Sequence, residues 1–242
     1  MGLLESNRQH SDSDAHTRGA STNLNRLRAA VLGANDGIVS VASIVLGVAG
    51  ATNNRGTIFT AGLAGLVAGA LSMGVGEYVS VSTQRDTERA YIHHEAWELT
   101  TKPADELEEL AGLYESKGVS RKTALQVAKE LTKHDALAAH LDVELNIDQE
   151  ALTNPWQAAI ASLVSFTIGA LIPLLSIILA ASHLRFATTF IAVTIALLLT
   201  GYFSAMAGGA SRRRAMLRVV IGGALAMAIT YAIGHAFGTA VS

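Results

Sequence analysis

Three spacings in one stretch of the chain have the form of metal ligation. Glu95 and Glu98 lie three residues apart, Glu106 and Glu109 repeat that interval, and His140 precedes Glu144 by four. On an α-helix each pair projects from one face. Like charges stacked there destabilise the helix modestly, and a divalent cation held between them reverses the penalty. Oxygen-rich sets with an occasional imidazole suit hard-to-borderline cations such as Fe²⁺ or Mn²⁺. The E-x-x-E spacing is also common on helices that are merely solvated, so spacing alone leaves solubility and metal binding both open. The chain has no Cys, which excludes thiolate sites and disulfides.

A second group lies upstream. Taking Glu77 as origin and 100° per residue, Glu95 falls at about 0°, Glu88 at about 20°, Met73 at about −40° and Glu98 at about −60°, provided one straight helix carries them all. Alone, Met73 reads as core packing. Within a stripe of four carboxylates it becomes a candidate soft ligand. Asp36, Ser40 and Ser43 fall within about 60° of one another on an earlier apolar segment. A lipid-facing acid there would cost several kcal/mol, so Asp36 is expected to face the bundle interior or a watery path. A protonated Asp36 bonded across a helix interface, or capping a broken helix beside Gly37, is the structural alternative. Two intramembrane acids, Asp36 and Glu77, on adjacent helices favour a cation or proton pathway.

The elements that must position these residues follow from hydropathy and charge. Half of the 242 residues are hydrophobic, yet 15 of the 20 acids fall between Gln84 and Thr153. Apolar runs near 28–51, 57–82, 156–181, 185–209 and 215–240 each exceed the roughly 20 helical residues that cross a ~30 Å hydrocarbon core. The expected fold is therefore an all-α membrane protein: five transmembrane helices with a three-helix cytoplasmic metal-binding insert between spans two and three. The divisions are a polar, disordered tail at 1–22, spans one and two in 23–83, the acidic insert in 84–153 and spans three to five in 154–242. The tail has no apolar core or cleavage site, so it is not a signal peptide. A net charge of −2, with no basic patch beyond the arginines flanking the spans, argues against a nucleic-acid partner.

Those arginines set the orientation. Arg18, Arg26, Arg28 and the "SRRRAMLR" loop share one side, whereas the other side holds only Arg55 and Arg185. The positive-inside rule places the N-terminus and the insert in the cytoplasm and the C-terminus outside. Within the insert, a first helix continues from span two and breaks at "TTKP", with Thr101 as a cap and Pro103 in the first turn of a second helix. Gly118 ends that helix. Ser120 caps a third, running unbroken from Arg121 to Ile147. Glycines at 62, 65, 69, 74 and 76 allow close packing of span two.

"RAAVLGANDGIVSVASIVLGVAGA", "LAGLVAGALSMGVGEYVSVSTQRDTE" and "HDALAAHLDVELNI" together resemble the vacuolar iron transporter (nodulin-21-like) family over nearly all of the chain after about residue 20. The resemblance extends to the order of two spans, acidic insert, three spans. It implies an Fe²⁺/H⁺ antiporter, not an enzyme, that removes ferrous iron from the cytosol for iron homeostasis, with Mn²⁺, Co²⁺ or Zn²⁺ as further candidate ions and no permanently bound cofactor. It implies a homodimer in the lipid bilayer with the pore between subunits. By motif, Asp36 in "ANDG" and Met73 in "LSMG" are the pore ligands and Glu77 in "GEYVS" guards the cytoplasmic mouth. Glu95, Glu98, Glu106, Glu109 and Glu144 are the ligands of the insert; spacing adds Glu88 and His140 after span two, and Ser40 and Ser43 beside Asp36 on the first span, as additional candidates. Plant members carry methionines on the third insert helix where this chain has His140 and Leu141. That departure bears on the stoichiometry and softness of the insert site, and so on Fe²⁺ over Mn²⁺. In a prokaryote, taken as the source, the topology implies an exporter of the cell inner membrane; in a eukaryote, of the vacuolar membrane. A membrane-anchored di-metal ferroxidase or a metal sensor is the competing reading. Neither accounts for Asp36, Met73 and Glu77.

Overall fold

The computed structural model describes residues 28–147 and 154–241, with side chains through Gly238. The tail at 1–22, Arg18 and Arg26 lie outside the described residues. The elements are α1 (Arg28–Ala51), α2 (Arg55–Thr101), α3 (Pro103–Ser116), α4 (Arg121–His140) with a π-helical turn at Leu141–Leu145, α5 (Pro155–Leu179), α6 (Arg185–Ala207) and α7 (Arg212–Val241). Five of them, α1, α2, α5, α6 and α7, are long and apolar enough to cross a membrane. In α2 the apolar stretch is 57–82. The chain divides into two compact units, one of Ser80–Asn154 and one built from Pro155–Ser242 with the chain before Ser80. Helix α2 contributes to both.

In the first unit α1 supplies the centre of the core, with Val41, Ala42, Val45 and Leu46 fully buried beside Phe166, Leu174 and Ile177 of α5 and Leu197 of α6. Lipid tails are as apolar as leucine, so such helices associate through close packing rather than through exclusion of water. Small residues permit it. Gly37 meets the backbone of Phe166 directly, and a Cβ on Gly33 would lie 2.6 Å from the Ser162 carbonyl oxygen. Gly47 of α1 and Gly234 of α7 face one another in the same way. On α2, Gly62, Gly65, Gly69 and Gly74 abut neighbouring side chains, whereas Gly76 has nothing within 4 Å. At one end, Arg55 Nη2 donates to the Ala180 carbonyl (3.1 Å) and Arg185 Nη1 to that of Asn53 (3.0 Å), which staples the α1–α2 turn to the α5–α6 turn.

The second unit packs α3 against α4 through Leu110, Ala111 and Ala128, with Leu107, Tyr114, Leu125 and Leu131 around them. Pro103 opens α3 because a first-turn residue needs no N–H donor. Lys102, rather than Thr101, occupies the N-cap; the Thr101 hydroxyl instead donates back to the Trp97 carbonyl (2.9 Å), closing α2. Gly118 adopts φ +92° just beyond the last turn, where the Val119 and Gly118 amides reach back to the carbonyls of Tyr114 and Glu115. Ser120 sits at the N-cap of α4, but its hydroxyl pairs with Thr123 Oγ1 (3.0 Å) instead of a backbone amide.

The third insert helix is not unbroken. Asp135 takes extended backbone angles (φ −159°, ψ 98°), and its Oδ1 accepts from the Ala138 amide at 3.0 Å. An aspartate that caps the helix following it competes with helix continuation, and here the local cap prevails. The segment then widens into the π-helical turn and stops at Asn146, whose φ is +52°.

Candidate metal centre

The kink and the π-turn determine where the last ionisable groups of the second unit go. His140 is fully buried at the end of α4. Its Nδ1 lies 2.9 Å from Glu95 Oε1, 3.7 Å from Glu144 Oε2 and 3.8 Å from Glu106 Oε2. Glu95 comes from the far end of α2, Glu106 from the first turn of α3 and Glu144 from the π-turn. Ligand atoms of Glu95, His140 and Glu144 all lie within 4.8 Å of one another. Glu95 and Glu106 are each only 4% exposed, a rare environment for a carboxylate without a cationic partner.

Two details give this cluster the character of a ligand set rather than a buried ion pair. Although His140 Nδ1 and Glu95 Oε1 are close, their orientation makes no hydrogen bond, and His140 Nε2 is likewise unpartnered. Buried polar atoms are almost always satisfied, so such facing groups fit a shared third centre. The second detail is where the basic side chains go. Arg121 takes Glu108 and Glu115 on the outer surface, and Lys102 and His94 take Glu98 at 3.6 and 3.3 Å. Among the described residues, no Lys or Arg pairs with Glu95, Glu106 or Glu144.

The electrostatics follow. Burial pushes the Glu95 carboxyl up from its ordinary value, and Glu144, Glu106 and Glu98 push it further, against the pull of His140. Burial likewise raises Glu106, reinforced by Glu109 and Glu98, again opposed by His140. Glu98 and Glu109 are thus near enough to be felt, though Glu98 is engaged elsewhere. Glu88 is apart from this group; its Oε1 accepts from Gln84 Nε2 at 2.8 Å on the exposed side of α2. Three carboxylates and an imidazole converging from four elements can hold a divalent cation of hard-to-borderline character.

In the first unit the sequence candidates lie on α1 and α2. Asp36 is half-buried on α1, and Ser40 Oγ donates to its backbone carbonyl (2.6 Å), not to its carboxylate. Ser43 is buried with no partner for its hydroxyl. Met73 is half-buried against the apolar core of this unit. Glu77 lies one turn further along α2, with Arg28 Nη2 3.9 Å from its Oε1. Sequence reasoning missed Arg28 as that partner, because the pairing joins the start of α1 to α2 across the fold. It also passed over Asn35, whose Oδ1 is buried and unsatisfied next to Asp36.

Comparison with known proteins bears on the same residues. The model of the VIT family matches residues 27–235. A protein of Acanthamoeba castellanii named vacuolar iron transporter is 44% identical over 209 residues, which span 86% of this chain and 77% of that protein. Vacuolar iron transporter homolog 2.1 of Arabidopsis thaliana is 37% identical over 215 residues (88% and 82%), and homolog 1 of Oryza sativa subsp. japonica is 38% identical over 213 residues (88% and 74%). These are the names of transporters, not of enzymes. With a family match that takes in all five apolar helices and the acidic unit between them, the chain belongs to the VIT family.

Proposed function

We propose that this protein carries ferrous iron out of the cytosol across a membrane in exchange for protons, with Mn²⁺ as a second cargo. Iron transport rests on the family and the names of its relatives. The observation that supports handling of a divalent ion is the buried His140 ringed by Glu95, Glu106 and Glu144, without a basic partner among the described residues. Such a site collects a divalent ion, and Glu98 and Glu109 add to the negative potential that draws it in.

From there Glu77 receives the ion at the mouth of the membrane path, and Met73 and Asp36 hold it within the bilayer. A thioether and a carboxylate make a borderline pair suited to Fe²⁺. A proton arriving from the far side takes the Asp36 carboxylate, weakens coordination and releases the metal outward. Competition between proton and metal for one carboxylate is sufficient to couple the two fluxes. The path runs between two copies of the chain, and the positive-inside rule puts the metal centre in the cytoplasm. The ferroxidase alternative lacks the E-x-x-H pairs with which di-iron bundles hold their metals.

Proteoliposomes loaded with wild type or Asp36→Asn, with an imposed pH gradient, test this reading. Gradient-driven Fe²⁺ flux in the wild type and its loss in Asp36→Asn are expected. Undiminished flux in the variant removes Asp36 from the mechanism, and Fe²⁺ oxidation without flux favours the enzyme.

A further inference from the structure

The transport reading leaves unused a cavity of about 390 Å³ at the end of the first unit that carries the turn between α6 and α7. Three helices line it: Arg28, Leu32 and Asn35 on α1, Thr200 and Ser204 on α6, and Arg218 on α7. It opens beside the crossing of α6 and α7 at Gly201, where a Cβ would lie 2.9 Å from Met216 Cα, and the small Ala215 and Gly208 leave its wall recessed.

The chemistry of the lining is one-sided. Two guanidinium groups and two hydroxyls line the cavity, with no acid on its wall among the described residues, and from residue 154 to the C-terminus the sequence has no Asp or Glu. The Arg28 guanidinium reaches Glu77 only at 3.9 Å and stays largely exposed. By contrast, Arg212 is already occupied, stacked over the Tyr202 ring and within hydrogen-bonding reach of its hydroxyl. The remaining wall, Leu32 and Val219 among it, is apolar.

Cationic groups beside an apolar remainder describe the complement of an amphiphile. We propose that this cavity binds one anionic phospholipid. Arg28 and Arg218 hold its phosphate, and an acyl chain lies along Leu32 and Val219. Basic pockets between membrane helices take anionic headgroups because each arginine adds favourable charge pairing where few protein acids compete.

The test is native mass spectrometry of the full-length protein in detergent, incubated with phosphatidylglycerol, phosphatidylcholine or inorganic phosphate. One phosphatidylglycerol is expected to survive activation that strips phosphatidylcholine. Arg218→Gln should retain it about five-fold less well, the loss of one arginine's attraction. Ser204→Leu, which fills the cavity without altering charge, should abolish retention while keeping the wild-type melting temperature in detergent micelles without phosphatidylglycerol. If Arg218→Gln fails that stability control, Ser204→Leu alone decides. Equal retention of both lipids, or undiminished phosphatidylglycerol in the folded variants, overturns the proposal. Displacement of the lipid by inorganic phosphate also overturns it, in favour of a free-anion site.

Discussion

Replacing Glu95 by Gln should move metal affinity and metal-free stability in different directions. The amide keeps the size of the side chain and leaves an oxygen facing His140 Nδ1. It removes a negative charge disfavoured first by burial and then by Glu144, Glu106 and Glu98, with only His140 in its favour. The metal-free variant should therefore be at least as stable as the wild type at pH 7.5. Metal binding should suffer. Mn²⁺ at 100 times its Kd stabilises the wild type by about 2.7 kcal/mol. For a unit the size of Ser80–Asn154 each kcal/mol moves the midpoint by ~4–8 °C, so the metal should raise it by about 10–20 °C. Disturbing the shell around a metal costs up to ~100-fold in affinity, and loss of a ligand should cost no less. At the same Mn²⁺ concentration the variant then gains only ~0.4 kcal/mol, or about 2–3 °C. Trp97 reports on this unit, stacked on His94 and lying beneath Lys102, so Trp156→Phe makes its fluorescence a clean probe in the full-length protein. A metal-induced rise in Glu95→Gln equal to that of the wild type would refute the assignment of Glu95 as a ligand.

The same probe reads the pH dependence. Glu95 and Glu106 are both raised in the folded state. The unfolded chain therefore releases these protons first, and their contribution is most favourable below the ordinary value of 4.5, worsens as pH climbs through the raised native values, and is constant above them. With chelator present, the stability advantage of Glu95→Gln over wild type should widen from pH 4.5 to 8; a difference that is flat or shrinks contradicts the burial argument. Asp135→Ala removes the cap inside α4 and should cost about 1 kcal/mol, seen as a lower Trp97 midpoint, with Asp135→Asn retaining most of it. Gly37→Val drives a side chain into the Phe166 backbone and should destabilise the α1–α5 packing by about 1–3 kcal/mol in detergent melts, whereas Gly222→Val, with nothing within 4 Å, should not; equal losses would discredit the packing account.

The spans were readable because a bilayer converts length and apolarity directly into structure. The run at 28–51 coincides with α1, and the run at 156–181 differs from α5 by one or two residues at each end. The continuation of α2 to Thr101 was equally readable, since nothing in "TQRDTERAYIHHEAWEL" competes with the helix. What hydropathy could not supply was any event decided by one side chain. The break at Asp135 is of that kind: Ala136, Leu137, Ala138 and Ala139 all favour helix, and the apolar period runs through them undisturbed. Only the carboxylate's alternative bond to the Ala138 amide tells against continuation. Arg28 with Glu77 escaped for the opposite reason, being a tertiary pairing with no local trace.

The glutamate spacings raised a subtler question. Two residues three apart share a helix face, but a cation needs donors from several directions, which one helix cannot give. The structure takes Glu95 from one pair and Glu106 from the other, and completes the group with His140 and Glu144 after the kink has redirected their segment. Glu98, one turn beyond Glu95, faces Lys102 and His94 instead. What separates the two kinds of acid is therefore the presence of a basic partner, not the spacing. Arg121 and Lys102 neutralise the acids that face outward, while the inward ones carry the cost of burial against mutual repulsion with a single imidazole among them. A fold can sustain that cost where another positive charge relieves it, and a divalent cation is the smallest group that reaches all four side chains at once.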